Sequence, residues 1–184
     1  MSLFADYTPN GHGAPLPDLD ISRAETRDLE GIIQMTAQRQ SVAPEEIAAR
    51  LEREIALDDP KHLLLAARVP TATIAFARIN YAERPAECAP NHQPAGFYLG
   101  GVIVDENFRR RGVGKRLTEA RLDWLMPRAR EVFYIAGDNN HASIDMHAAL
   151  GFEELTRDFF APRVTFQSGG GILFRMDLRR WKPE

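Results

Sequence analysis

Six consecutive residues, Arg109–Arg110–Arg111–Gly112–Val113–Gly114, carry the chemistry that stands out in this chain. Glycines at positions 112 and 114 let a backbone turn present consecutive N–H groups to an anion. A helix starting there adds its unpaired first amides and the positive end of its dipole. The guanidinium groups, with Lys115 beside them, add charge-assisted hydrogen bonds in a fork that suits phosphate oxygens. Together these groups make a cradle for a diphosphate. Two familiar cradles are excluded by spacing. A P-loop needs a glycine, four residues, then Gly–Lys–Ser/Thr, whereas Gly114–Lys115 is followed by Arg116 and position 109 is arginine. A G-x-G-x-x-G dinucleotide turn would need a third glycine where Leu117 stands.

Charge distribution points the same way. The formal net charge is −3, from 23 basic and 26 acidic residues. Arg109, Arg110, Arg111, Lys115 and Arg116 concentrate positive charge in one short stretch, which leaves the rest of the chain distinctly acidic. One positive spot on an acidic body suits a compact polyanion better than a long nucleic acid, and it tolerates a cationic second substrate. No nucleic-acid partner is therefore expected. The single cysteine, Cys88, has no partner for an internal disulfide and no histidine at a telling spacing, so neither an oxidising compartment nor a catalytic thiol is implied. No metal site is expected. The first residues lack a basic and then apolar leader, and no apolar run approaches the roughly 18–20 residues of a membrane span. The expectation is a cytoplasmic protein without a membrane partner.

These residues must be positioned by a scaffold, and 184 residues suffice for one well-packed core. Residues 1–18, with Pro9, Gly11, Gly13, Pro15 and Pro17, read as a flexible N-terminal arm, and residues 19–184 as a single domain. A short strand at 19–22 precedes a loosely helical stretch through Asp28, Leu29, Ile32, Ile33, Met35 and Thr36. A second helix has Ser41 as a possible cap, Pro44 in its first turn, Glu45 and Glu46 at its positive end, and an apolar stripe Ile47, Leu51, Ile55. Residues 62–68 and 73–81, split by Val69–Pro70, read as an antiparallel hairpin. Residues 82–94 contain Pro85, Pro90 and Pro94 and form a long loop. A strand at 96–104 ends in Val102–Ile103–Val104, and a helix over 112–130 buries Val113, Leu117, Ala120 and Trp124. A strand at 132–136, a helix at 142–150, and strands at 153–160 and 172–177 complete the chain. The order β-α-α-β-β-β-α-β-α-β-β predicts an α+β (mixed α/β) fold: one central, mostly antiparallel sheet with helices on both faces.

The pattern [QR]-x-x-G-x-[GA] after an apolar strand fits Arg109 to Gly114 without a gap, and resembles the acetyl-coenzyme A loop of the GNAT N-acetyltransferase superfamily. The run Asn140–His141–Ala142–Ser143–Ile144–Asp145–Met146–His147–Ala148–Ala149–Leu150–Gly151–Phe152 is similar to that family's second signature, N-x-x-[AS]-[IV]-x-x-Y-x-x-[LM]-G-F. The order of elements agrees from about residue 19 to 178. Segments Arg157–Asp158–Phe159–Phe160, Val164–Thr165–Phe166 and Gly171–Ile172–Leu173–Phe174 are similar to bacterial chains called aminoglycoside 6'-N-acetyltransferase-like.

The resemblance implies acetyl-CoA as cofactor. Backbone groups of Val102, Ile103 and Val104 would pair with the pantetheine arm and polarise the thioester carbonyl. Amides of Arg111, Gly112, Val113 and Gly114, with Lys115 nearby, would bind the diphosphate, and Arg109 or Arg110 would neutralise a phosphate. Asn140 would hydrogen-bond the pantetheine. The tyrosine that in the family protonates the departing thiolate is replaced by His147. An imidazolium is a stronger acid than a phenol, but with a reference pKa of about 6.5 it is only partly protonated at neutral pH. Water could take that role, with His147 merely lining the site. The base is unassigned. The strand position where some members carry a glutamate is Tyr98, and Glu83, Glu87, His92, Asp145 or a water chain are the alternatives.

The expected function is acetyl transfer to a primary amine of a small, aminoglycoside-like molecule by direct attack. A protein or peptide N-terminal acetyltransferase is the alternative within the same chemistry, and a non-catalytic acyl-CoA sensor the alternative outside it. Pairing through C-terminal strands, as in many relatives, implies a homodimer by resemblance.

Overall fold

In the computed structural model, which describes residues 13–40, 42–162, 164–166 and 169–183, hydrophobic alternation and helix-breaking residues divide the chain much as the sequence predicts. The elements are β1 (Asp20–Arg23), α1 (Leu29–Gln40), α2 (Pro44–Ala56), β2 (His62–Val69), β3 (Ala72–Ala82), β4 (Gly96–Val104), α3 (Val113–Leu125), β5 (Glu131–Gly137), α4 (His141–Ala149), β6 (Glu153–Thr156) and β7 (Gly171–Asp177). They form one seven-stranded, mostly antiparallel sheet in the order β1-β2-β3-β4-β5-β7-β6, accompanied by four helices among the described residues, the mixed α/β class expected from the sequence. Strands β4 and β5 run parallel, with Phe97, Tyr98 and Leu99 opposite Val132, Phe133 and Tyr134. No helix among the described residues is long and apolar enough to cross a membrane.

The chain groups into two compact units, one of residues 13–79 and 100–121, the other of residues 80–99 and 122–183. In the first, six consecutive residues of β2 are buried, so both faces of that strand are covered. On one face Leu64, Ala66 and Phe76 pack against Ile32, Met35, Ile47 and Leu51, with Ile55 and Ile103 at the margin. The stripe expected on α2 is thus the one that is buried. Pro44 opens α2 after Ala43, where the missing proline N–H costs nothing; Ser41 lies outside the described residues. Residues 13–18, the described part of the expected arm, carry no helix or strand, yet Gly13 N–H donates to the Arg110 carbonyl at 2.8 Å, and Arg116 donates to the carbonyls of Leu16 and Leu19.

In the second unit, β7 pairs with β5 along its full length and with β6 on its other side. β6 ends at Thr156 rather than at Phe160, because the Thr156 hydroxyl and the Asp158 main chain close a local turn on each other. The proline-rich loop is anchored, not open. Arg84 donates to the carbonyls of His92 and Pro90, and Gln93 N–H and Phe160 N–H bond to Phe160 and Asn91 carbonyls at 2.8 and 2.7 Å.

One buried ion pair fixes the first unit. Asp28 has no exposed surface; it accepts from Arg68 Nε and Thr73 Oγ1, each at 2.7 Å, and from the Glu25 amide. Arg68 also donates to Asp20, Ser22 and the Arg23 carbonyl. Burial pushes the Asp28 carboxyl up, but hydrogen bonds from Arg68, Glu25 and Thr73 and the Arg68 charge outweigh it, so its pKa falls below the ordinary value. A depressed carboxyl stabilises the fold in full at neutral pH, and that stability is lost as pH falls below the unfolded value of about 3.9. Asp28→Ala leaves the buried Arg68 guanidinium with only the exposed Asp20 carboxylate and is expected to cost about 3 kcal/mol. Urea denaturation at pH 7 would show that loss, and the gap between variant and wild type should narrow on acidification.

Candidate active site

β4 continues to Val104, five residues past Leu99, the last residue that pairs with β5. Ile103 turns into the α1–α2 core, which fixes the strand's orientation at this end. Asp105 then accepts from the Asn107 amide at 2.9 Å and starts a single 3-10 turn, Glu106–Phe108, that delivers the chain to Arg109. The Arg109 side chain folds back to donate to the Val104 carbonyl.

The basic turn has unusual backbone. Arg110 has φ of +63°, and Gly112 has φ of +78°. Left-handed residues separated by one ordinary residue curl successive N–H groups to one side, which makes a concave anion receptor. Gly112 accepts from Arg116 N–H at 3.0 Å, the first helical bond of α3, so the amides of the residues after Gly112 fall where a helix has no carbonyl to offer them. Val113, 1% exposed, roots the turn in the core, while Arg109, Arg110 and Gly112 are exposed. Lys115 is paired with Glu119 at 3.1 Å.

The second motif builds α4 in the other unit. Asn140 caps that helix, its side-chain oxygen accepting from Ser143 N–H at 3.3 Å. His147 is 4% exposed, and its Nδ1 donates to the Ser143 carbonyl at 2.8 Å. Its ring stacks on Tyr134 at 3.9 Å between centroids and meets the edge toward Phe152, and Tyr134 stacks in turn on Phe174. The motif's histidine is therefore part of a packed aromatic column. The Tyr134 hydroxyl is buried without a hydrogen-bond partner among the described residues, and burial raises its pKa.

The sequence fits the acetyltransferase (GNAT) family over residues 29–152. The chain belongs to this family. It is an N-acetyltransferase that uses acetyl-CoA. The fold resembles the ribosomal-protein-S18-alanine N-acetyltransferase of Escherichia coli (21% identity, 87% of this chain and 94% of that one, TM-score 0.60). It also resembles a GNAT-family acetyltransferase of Streptococcus pneumoniae (14%, 87% and 99%, TM-score 0.65) and a Sinorhizobium meliloti phosphinothricin acetyltransferase solved with AcCoA (16%, 91% and 94%, TM-score 0.64). No curated protein sequence matches the chain.

The turn of this acetyltransferase fits a diphosphate: it is exposed, curled toward its amides, and basic. Among the base candidates, Tyr98 donates to the Pro94 carbonyl and stacks on Phe133, and burial, with Glu131 nearby, raises its pKa, so it keeps its proton at neutral pH. His92 is buried against Phe160 and bonded through Nδ1 to the Gln93 carbonyl. Glu83, Glu87 and Asp145 are exposed.

Sequence periodicity missed Arg121. The buried face of α3 carries Val113 and Leu117 as expected, but continues through Thr118, Arg121, Leu122 and Leu125, while Ala120 and Trp124 are half-buried. An arginine in that stripe reads as solvent-facing, and only its spacing of four from Leu117 hinted otherwise.

Gly112 offers a direct test of the turn. A Cβ there meets nothing within 4 Å, so Gly112→Ala pays only the left-handed penalty, about 1 kcal/mol in thermal denaturation. Gly112→Glu adds bulk and like charge and should weaken coenzyme A at least about tenfold by calorimetry.

Proposed function

We propose that this acetyltransferase moves the acetyl group to the primary amine of a small, cationic acceptor by direct attack, with no acetylated side chain on the way. The observation that carries the reading is the left-handed turn at Arg110 and Gly112 ahead of α3, in a chain of this family. Bound acetyl-CoA supplies an activated thioester. Amides of Arg111 to Gly114 hold its diphosphate, with Lys115 nearby and Arg109 or Arg110 neutralising charge. Val102, Ile103 and Val104 present β4 main-chain groups to the pantetheine arm. Asn140 gives its side-chain N–H donors to the same arm, since its oxygen is committed to the α4 cap.

The acceptor ammonium must lose a proton before it attacks, and exposed carboxylates or water receive it. The proton returns to the departing sulfur from His147 or from water. A polycation is the acceptor class because the chain outside the basic turn is acidic. An aminoglycoside-like molecule is the member of that class that the C-terminal segments favour. Phosphinothricin and spermidine acetyltransferases among the similar folds also act on small amines. A second reading, acetylation of a peptide or protein N-terminus in a cytoplasmic setting, is favoured by the likeness to the ribosomal-protein-alanine enzyme. A homodimer is part of the proposal and would be read by ultracentrifugation.

Free-thiol release over a panel of aminoglycosides, polyamines, amino acids and N-terminal peptides separates the two readings. Turnover with aminoglycosides or polyamines is expected; turnover with peptides alone selects the second reading, and tight cofactor binding without any turnover would make the chain a sensor. His147→Phe keeps the stacking on Tyr134 and removes the proton. If His147 is the acid, kcat should fall by about 10² with acetyl-CoA affinity unchanged; an unchanged kcat assigns the proton to water.

A further inference from the structure

Arg39, in the last turn of α1, is half-buried, yet it has no ion pair and no hydrogen bond among the described residues. Arginines withdrawn from solvent ordinarily find partners, because an unmatched charge away from water is costly. The others in this unit follow that rule. Arg68 meets Asp28, and Arg78 meets Glu54 at 2.6 and 3.1 Å. Arg121 donates to the carbonyls of Gly100 and Arg78 at 2.8 and 3.2 Å and to Thr118 Oγ1 at 2.9 Å. Arg39 is the exception.

Helix geometry places its side chain. Arg39 follows Met35 by four residues and Thr36 by three, so it shares their face. Both are buried, and Met35 belongs to the cluster that has Ile103 at its margin. Ile103 leads directly into Val104, whose carbonyl accepts from Arg109 Nε at 3.2 Å. The end of α1 and the end of β4 thus bring the guanidinium groups of Arg39 and Arg109 into one neighbourhood, beside the basic turn. Burial lowers the Arg39 pKa, and the charge of Arg109 lowers it further, as a neighbouring like charge must.

Both groups keep donors unspent: Arg39 all of its own, and Arg109 all but Nε. Two like charges drawn together with no carboxylate beside them repel, and an oxyanion shared by both relieves that repulsion. The planar fork of a guanidinium matches phosphate in particular. Arg109 also borders the left-handed turn that starts at Arg110, the receptor read above as the diphosphate site.

We propose that Arg39 is a further cofactor-binding residue, which with Arg109 forms a two-guanidinium clamp for a phosphate group of coenzyme A. The proposal rests on the acetyl-CoA reading of the turn and adds to it a side chain from α1, outside both motifs. Coenzyme A offers this chemistry in two places, its diphosphate and its 3′-phosphate.

Calorimetric titration tests the clamp and tells the two apart. Arg39→Gln should weaken coenzyme A at least about tenfold. The same loss with dephospho-coenzyme A assigns the clamp to the diphosphate, and a loss that vanishes with it assigns the clamp to the 3′-phosphate; either supports the proposal. Arg39→Lys, which keeps the charge without the fork, should fall between wild type and Arg39→Gln. It decides the matter should the glutamine variant not fold, and an affinity equal to wild type would then overturn the clamp. Equal binding of coenzyme A by wild type and folded Arg39→Gln, while Gly112→Glu still loses it, overturns the Arg39 assignment alone. A wild type that binds no coenzyme A overturns the cofactor reading and the clamp with it. A lower melting temperature in Arg39→Gln with unchanged affinity would make Arg39 a structural residue and sink the proposal.

Discussion

Main-chain amides that a fold leaves without carbonyl partners must face water or a ligand. The described structure concentrates such amides at the junction of β4 and α3. The helix cannot satisfy its own first N–H groups, and the left-handed residues Arg110 and Gly112 curl the preceding ones in the same direction. Side chains of Arg109, Arg111 and Lys115 supply charge around this backbone but do not create the receptor. That explains why the turn can spend its own basic groups on the protein: Arg109 on the Val104 carbonyl, Arg116 on Leu16 and Leu19, Lys115 on Glu119. The main chain binds, and the charge attracts.

Arginines withdrawn from solvent, Arg68 and Arg121 buried and Arg78 half-buried, show two different uses of one residue type. Arg68 and Arg78 are matched by Asp28 and Glu54, and such pairs hold strands to helices: Asp28 precedes α1 and Arg68 lies on β2, while Glu54 lies on α2 and Arg78 on β3. Removing one partner leaves the other a weaker one, Asp20 for Arg68 or His62 for Glu54. Arg121 meets no carboxylate among the described residues and donates instead to two main-chain carbonyls and the Thr118 hydroxyl.

The element order, sheet class and both motifs were legible in the sequence because each depends on local pattern: apolar runs in β2 and β3 split by a turn at Pro70, glycine spacing in the basic turn, and Pro44 at a helix start. Two element ends were missed because a local stop signal was passed over, and the histidine's setting because it depends on a tertiary contact. The helix expected to reach residue 130 stops at Leu125, since Pro127 lacks an N–H and disfavours helical geometry before it. β6 loses its last residues to the Thr156 turn. Asn140 fills the capping role that its residue type alone would suggest, and His147 enters an aromatic column that no spacing rule foretells, because Tyr134 and Phe174 come from other strands.

The segment read as an arm has a physical connection to the turn. A left-handed arginine costs on the order of 1 kcal/mol or more, and persists only where its surroundings over-determine it. The Gly13 N–H bonded to the Arg110 carbonyl is such a constraint, and one hydrogen bond contributes about 1 kcal/mol, comparable to the strain. Gly13 can make that approach because a Cβ there would stand 2.9 Å from Arg111 Cγ. Two arginine bonds from α3 to the carbonyls of Leu16 and Leu19 keep the segment alongside. The turn's concave shape is thus set partly from outside the motif, by a glycine almost a hundred residues upstream.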